Sequence, residues 1–251
     1  MKTFKAYFKK EVIESIRHYR YIVLGVGIMA FAIFDPFMLK LLPKILENQV
    51  PGNILDYFKI TPKYAVNNYI KDLSQIGLLF VIFSISGTLS EEIYSQKLIF
   101  PYTKGSSPQG IVLAKAIHFI ITELIFTFIG FLIAFYYSGI LFKGEKNTLN
   151  EIMIAALLMG VYYIFNIALV TFFSGFCKKN IVSGFIVLTI NFISIPVSGV
   201  KTLDKFIPYS LVKAAYLFSI DKHLTTIIMA VSYSIVLIIL SILRMKKVEV
   251  I

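Results

Sequence analysis

Residues 116–142 read AIHFIITELIFTFIGFLIAFYYSGILF, an almost unbroken apolar run whose single carboxylate is Glu123. Crossing the hydrocarbon core of a bilayer takes about 20 such residues. Lipid offers no partners for an unpaired backbone, so a run of this kind can only be a helix. Five further windows have the same character: roughly 21–42, 73–90, 151–174, 181–199 and 224–243. The composition agrees, because 57% hydrophobic and 16% charged residues, with a mean hydropathy of +0.79, leave too little charge to cover a soluble domain. The first residues, MKTFKAYFKKEVIESIRHYR, are too polar and too long for a signal n-region. The chain therefore reads as a polytopic, all-α membrane protein with one transmembrane domain over 1–251. Its expected parts are an N-terminal helix at 1–20, a six-span bundle at 21–243 and a tail at 244–251.

Local breaks qualify the spans. Asp35-Pro36 is expected to kink or end the first helix, and the second window is short. The fifth window closes on SIPVSG, where Pro196 and Gly199 disfavour continuation and point to a re-entrant arrangement before the sixth.

Orientation follows the basic residues. With the N-terminus inside, every arginine (Arg17, Arg20 and Arg244) falls on the cytoplasmic side together with Lys97, Lys104, Lys115, Lys178 and Lys179. Both termini are then cytoplasmic. The excess of 25 Lys and Arg over 14 Asp and Glu fits an anionic inner leaflet better than a nucleic-acid partner in so apolar a chain. Residues 2–20 read as an amphipathic helix lying in the inner interface. Phe4, Phe8, Val12 and Tyr19 form its apolar arc, and Lys9, Lys10, Glu11, Glu14, Arg17 and Arg20 supply the polar residues.

Between the second and third spans runs EEIYSQKLIFPYTKGSSPQGIVLAKAI, residues 91–117. Ser106 and Ser107 before Pro108 suit an N-cap with Pro in the first turn, so a short helix is expected from Pro108 into span three. Glu91 and Glu92, with Lys104, Gly105, Ser106, Ser107, Pro108 and Gln109, form the expected docking surface.

Several chemistries are excluded. There is no G-x-x-x-x-G-K-[ST] loop for phosphate and no H-E-x-x-H, and the three histidines (His18, His118, His223) are scattered. Gln96 stands where an intramembrane metalloprotease Glu-Glu motif expects Arg, and no histidine follows a Phe by four residues. A single cysteine, Cys177, rules out an internal disulfide framework and a thiolate cluster. Glu123 is the one clear ionisable group inside a span, which makes it a pathway residue by default. It is expected to bond Thr122, Asn166 or Asn191, or to face a wet cavity. An ion-coupled secondary transporter using Glu123 and Asp35 is the rival reading. The long outer loop after span one and the short inner one after span four break the inverted symmetry it would need.

The order of parts resembles the permease subunit of an ABC-2 type (type V) ABC exporter. KKEVIESIRHYRYIVL (9–24) is similar to the family's amphipathic connecting helix, and SGTLSEEIYSQKLIFPYTKGSSPQGIVLAKAI (86–117) to its coupling-helix region. Ser95-Gln96 stands where the family's Glu-x-Glu-x-Gly stretch carries Gly. LDKFIPYSLVKAAYLF (203–218) looks like its Pro-centred extracellular re-entrant segment. The resemblance implies a non-catalytic subunit in the bacterial plasma membrane. It carries no cofactor itself, since ATP and Mg would sit on a separate ATPase subunit. It works with a second permease copy, spans two and five facing that partner. Amphipathic peptides of the toxin or antimicrobial kind are the implied cargo.

Overall fold

The computed structural model describes residues 2–46, 60–221 and 223–248. Among the described residues every regular element is a helix, and six helices are long and apolar enough to cross a membrane. In chain order they are α2 (Arg20–Pro43), α3 (Pro62–Tyr94), α5 (Pro108–Leu141), α6 (Leu149–Ser174), α7 (Asn180–Val197) and α9 (Leu224–Lys246). Three shorter α-helices, α1 (Lys2–Arg17), α4 (Ile99–Thr103) and α8 (Ser210–Leu217), and one 3-10 turn at Asp204–Phe206 complete the set among the described residues. The protein is a multi-pass membrane protein.

Helix α6 is the axis of the bundle, touching α3, α5, α7, α8 and α9. Small residues permit this. Ala155, Ala156 and Gly160 are buried on it, and a Cβ at Gly160 would fall 2.6 Å from Cδ2 of Leu124 on α5. Its start is fixed locally by a capping box: the Thr148 hydroxyl accepts from the Glu151 amide at 3.3 Å, and the Glu151 carboxylate accepts from the Thr148 amide at 2.8 Å.

Several expectations are corrected. Asp35-Pro36 does not end the first span, because the α-helical segment Phe31–Leu46 carries α2 through Pro36 and continues past its end at Pro43. The irregularity lies a turn earlier, in a π-helical segment at Val26–Ala30. The second span is long rather than short. Thr61 accepts from the Tyr64 amide, Pro62 takes the first turn, and Ala65, Val66, Tyr69 and Ile70 bury a helical stripe that the polar residues around them mask. It too carries a π segment, Leu73–Gly77, and a looser turn at 86–89. The expected outer loop after span one is thus helical from Pro62 onward, and its residues 47–59 lie outside the described residues, as do 249–251 of the tail. No separate short helix starts at Pro108, because residues 108–141 form one continuous helix, and the short helix of that loop is α4. Pro196 is accommodated inside α7, one residue before its end.

The two π segments meet. A Cβ at Gly27 would fall 2.4 Å from Cγ of Phe80, and one at Gly77 would lie 3.5 Å from the Gly27 carbonyl oxygen. The approach at Gly27 leaves no room for a Cβ, whereas the Gly77 distance is ordinary van der Waals contact. Two buried tyrosines serve carbonyls of these segments: Tyr69 donates to Ile28 O at 3.2 Å and Tyr163 to Leu73 O at 2.9 Å.

Both described chain ends, the α3–α5 loop and the α6–α7 loop gather at one end of the bundle. Ser107 N donates to Thr3 Oγ1 at 3.3 Å, Tyr94 Oη to Phe176 O at 3.3 Å, and Tyr102 Oη to Met245 O at 3.5 Å. At the opposite end Lys63 pairs with Glu145 at 2.7 Å.

Candidate functional site

The α1 end holds a compact ion network. Lys115, on the first turns of α5, is 2% exposed and has its ammonium 2.5 Å from Glu11 and 3.0 Å from Glu92. Lys10 also pairs with Glu92 and lies 3.4 Å from Glu14, while Arg20 stands 3.9 Å from Glu11. Burial draws the Lys10 ammonium down, but Glu92 and then Glu14 outweigh it and hold it above the usual lysine range. The carboxylates of Glu11, Glu14 and Glu92 lie close enough to ligate a metal. Three cations already neutralise their three charges, so the cluster is a compensated ion network. An apolar cluster of Tyr7, Leu89, Leu98, Ile111, Val112, Ala114 and Met245 packs beside it.

This arrangement corrects the reading of α1. Its buried stripe is Tyr7, Glu11 and Ser15, laid along α5, with the Ser15 hydroxyl 3.0 Å from Nε2 of His118. Glu11 is therefore not on a solvated face, and α1 docks on protein through a polar stripe. Phe4 and Phe8 are partly buried against the same apolar cluster, while Ile13 and Ile16 are exposed. Lys9 and Arg17 remain exposed.

The expected Glu91–Glu92 pair splits. Glu91 is exposed and accepts from the Asn180 side chain at 2.6 Å, whereas Glu92 points inward at 3% exposure. A helical step of one residue turns the side chain by about 100°, which separates the two carboxylates. Lys104, Gly105, Ser107 and Gln109 are exposed, and Ser106 and Pro108 are half-buried. Gly105 adopts φ +76°, and Lys104 stacks over Phe100 at 4.3 Å. Gln96, where the resembling pattern carries Gly, sits at φ +59°, in the left-handed region that glycine occupies freely. Ser107 caps α5 as expected, accepting from the Gly110 amide at 3.3 Å. Ser107→Ala is expected to cost about 1 kcal/mol of thermal stability in detergent, and an unchanged melting point would mean that water replaces the cap without loss.

The second feature is a groove between α2, α3 and α7 that sequence reasoning did not anticipate. Nearest the α1 end it widens to a cavity of about 650 Å³. Arg20, Glu91 and Asn180 lie at its polar rim, and Leu79, Phe80 and Phe83 on its wall. A second cavity of about 330 Å³ continues from it, sharing Ile76 and Leu79, and ends against Gln75, Asn191 and Tyr209. Behind the second cavity, Tyr162 donates to Asn191 Oδ1 at 2.8 Å and Asn191 donates to Asn166 Oδ1 at 2.7 Å. The face of α7 away from α6 exposes Phe185, Phe192 and Ile193.

Glu123 meets none of its expected partners. Thr122 donates to His118 O at 2.9 Å, and Asn166 and Asn191 are bonded to each other. The carboxyl lines neither of the two groove cavities.

Comparison with protein-family models, curated proteins and solved structures returned no match.

Proposed function

We propose that the chain is the permease subunit of an ATP-driven exporter of the ABC-2 type, working as a pair of copies coupled to a separate ATPase. The observation that carries this reading is how the exposed α3–α5 loop is rooted. Its tip presents Lys104, Gly105 and Ser107 to solvent, and both roots enter the ion network, Glu92 from α3 and Lys115 from α5, where Lys10 and Glu11 of α1 join them. A push on such a tip moves two spans and α1 as one body rather than bending a loose connection. That is what a subunit without a phosphate-binding loop needs in order to receive work from an ATPase.

The groove supports the rest. It is a half-pathway, closed on one side by α2, α3 and α7, and a second copy seated on the exposed face of α7 would complete it. Its lining pairs apolar walls with a polar rim, which suits an amphipathic peptide as cargo. In this reading the α1 end is cytoplasmic, the membrane is the bacterial plasma membrane, and the chain itself binds no nucleotide. Helix α8, whose Leu211, Val212, Ala214 and Ala215 are buried against α6, supplies the re-entrant element before the last span.

Ser106→Cys is the test. It is expected to react with an impermeant maleimide only in inverted or opened membranes, and to cross-link to an ATPase encoded beside it. Labelling on intact cells would reverse the orientation and remove the coupling argument.

A second reading, an ion-coupled transporter, is favoured by a different observation. Asp35, 6% exposed with Oδ2 unpartnered, lies beside Asp72, and among the described residues no cation acts on it. Transport that persists without any ATPase would select it.

A further inference from the structure

Glu123 on α5 is 1% exposed, and neither carboxylate oxygen has a hydrogen-bond partner. One helical turn on, the buried hydroxyl of Thr127 is also unpartnered. Neighbouring hydroxyl hydrogens are committed elsewhere: Thr122 to His118 O, Tyr69 to Ile28 O and Tyr163 to Leu73 O. Among the described residues, a charge on Glu123 would be felt by Tyr69 from α3 and Tyr163 from α6. No lysine, arginine or histidine among the described residues acts on Glu123 from any packed element. On α5 itself, Lys115 lies about two turns away and is taken by Glu11 and Glu92. Asp35 of α2, beyond Tyr69, adds negative charge rather than compensating it. An ionised carboxylate walled in this way has neither solvent nor counter-ion, the costliest state a buried polar group can take.

We propose that Glu123 is a proton-binding site, occupied in this arrangement and emptied when the contact between the two π segments opens. The ligand is a proton rather than a metal cation. Among the described residues the Thr127 hydroxyl is the uncommitted oxygen beside Glu123, too few for the six or so that a hard cation prefers.

The site has a mechanical link to the groove. Leu73, whose carbonyl takes the Tyr163 hydrogen, opens the π segment Leu73–Gly77. The same segment lines the groove through Ser74, Gln75 and Ile76. Single-turn π segments inside α-helices are frequent at functional sites. When Glu123 loses its proton, the carboxylate competes for the Tyr163 hydroxyl hydrogen. The Leu73 carbonyl is released and the groove wall is free to shift. This inference does not depend on the exporter reading, and it is tested on the isolated chain.

Thermal unfolding of the purified protein in detergent is compared for wild type and Glu123→Gln from pH 4.5 to 8.5, roughly from the ordinary carboxyl range upward. A carboxyl that keeps its proton when folded but ionises when unfolded loses stability as pH rises, and Gln does not titrate. The variant should match wild type at the acid end and gain on it with pH, by roughly 10 °C or more at the alkaline end. A variant that is less stable at neutral pH, with the gap closing on acidification, would mean an ionised and paired Glu123 and overturn the proposal. So would a pH-independent difference. Dicyclohexylcarbodiimide gives a readout on wild type alone, since it adds whole to a protonated carboxyl to form an N-acylurea. The peptide containing Glu123 should gain that mass, less so as pH rises. No adduct at any pH would refute the site, and protection by sodium ions at fixed pH would replace the proton with a metal cation.

Discussion

Glu92→Lys is expected to leave little folded protein, while Glu91→Lys, one position away, is expected to be nearly silent. Glu92 is the carboxylate shared by Lys10 and Lys115, and its side chain is 4% exposed. Reversing it brings three ammonium groups together, with only Glu11 and Glu14 left to answer them. Removing one partner of a buried ion pair typically costs about 3–5 kcal/mol, and reversal adds repulsion to that loss. For a chain of this size the melting temperature should fall by roughly 10 °C or more. Glu91 by contrast gives up one exposed hydrogen bond to Asn180, worth about 0–1 kcal/mol at a solvated site. Size-exclusion profiles and melting curves of the two variants in detergent decide the matter. Equal tolerance of both changes would mean that Glu92 is solvated and the ion network is not formed. Loss of ATPase association in Glu91→Lys, with folding intact, would return that residue to the coupling surface, whereas loss of export alone would trace to its place on the groove rim.

The pair shows how far the sequence can be read. Six spans are legible because apolar runs of membrane length have only one structural use, and windows 151–174, 181–199 and 224–243 match α6, α7 and α9 to within a few residues. The Ser107 cap is legible because capping is local chemistry between residues three apart. Facing is not local. Whether Glu91 or Glu92 turns inward depends on Lys115 and Lys10, which lie far along the chain. The buried stripe of α1 was hidden for the same reason. Tyr7, Glu11 and Ser15 are at helical spacing, but a Tyr-Glu-Ser stripe does not look like a packing face until its partner on α5 is known. The first turns of α3 were masked by Asn67, Asn68, Lys71 and Asp72 lowering the local hydropathy, although the stripe beneath them carries a helical signal that could have been found. The π segments had only Gly27 and Gly77 as hints. The groove had none, since it exists between three helices and belongs to no single stretch.

Leu79→Trp carries the largest functional consequence of the groove. Leu79 and Ile76 are the residues the two cavities share, so a bulkier side chain there divides the proposed half-pathway without touching either end. Leu79 is 36% exposed, so the indole can be accommodated in open space rather than forced into packed core, and the overpacking cost of about 1–3 kcal/mol that applies inside a core is largely avoided. Folding and association with the ATPase are therefore expected to persist, while export falls at least tenfold, a change of about 1.4 kcal/mol in the barrier to passage. The chain contains no tryptophan, so the same variant reports its own surroundings. Its emission should shift when an amphipathic peptide is added, and it should be less accessible to acyl-chain quenchers once two copies assemble. Ile239→Trp, on the exposed face of α9 and away from the groove, provides the comparison and should transport normally while being quenched by lipid throughout. If Leu79→Trp transports at the wild-type rate, the cargo does not pass between α3 and α7, and a pathway through this groove is wrong even if the coupling loop behaves as proposed. If export is lost but the indole emission of Leu79→Trp ignores added peptide, the groove matters for the movement of the helices and not as the surface the cargo touches.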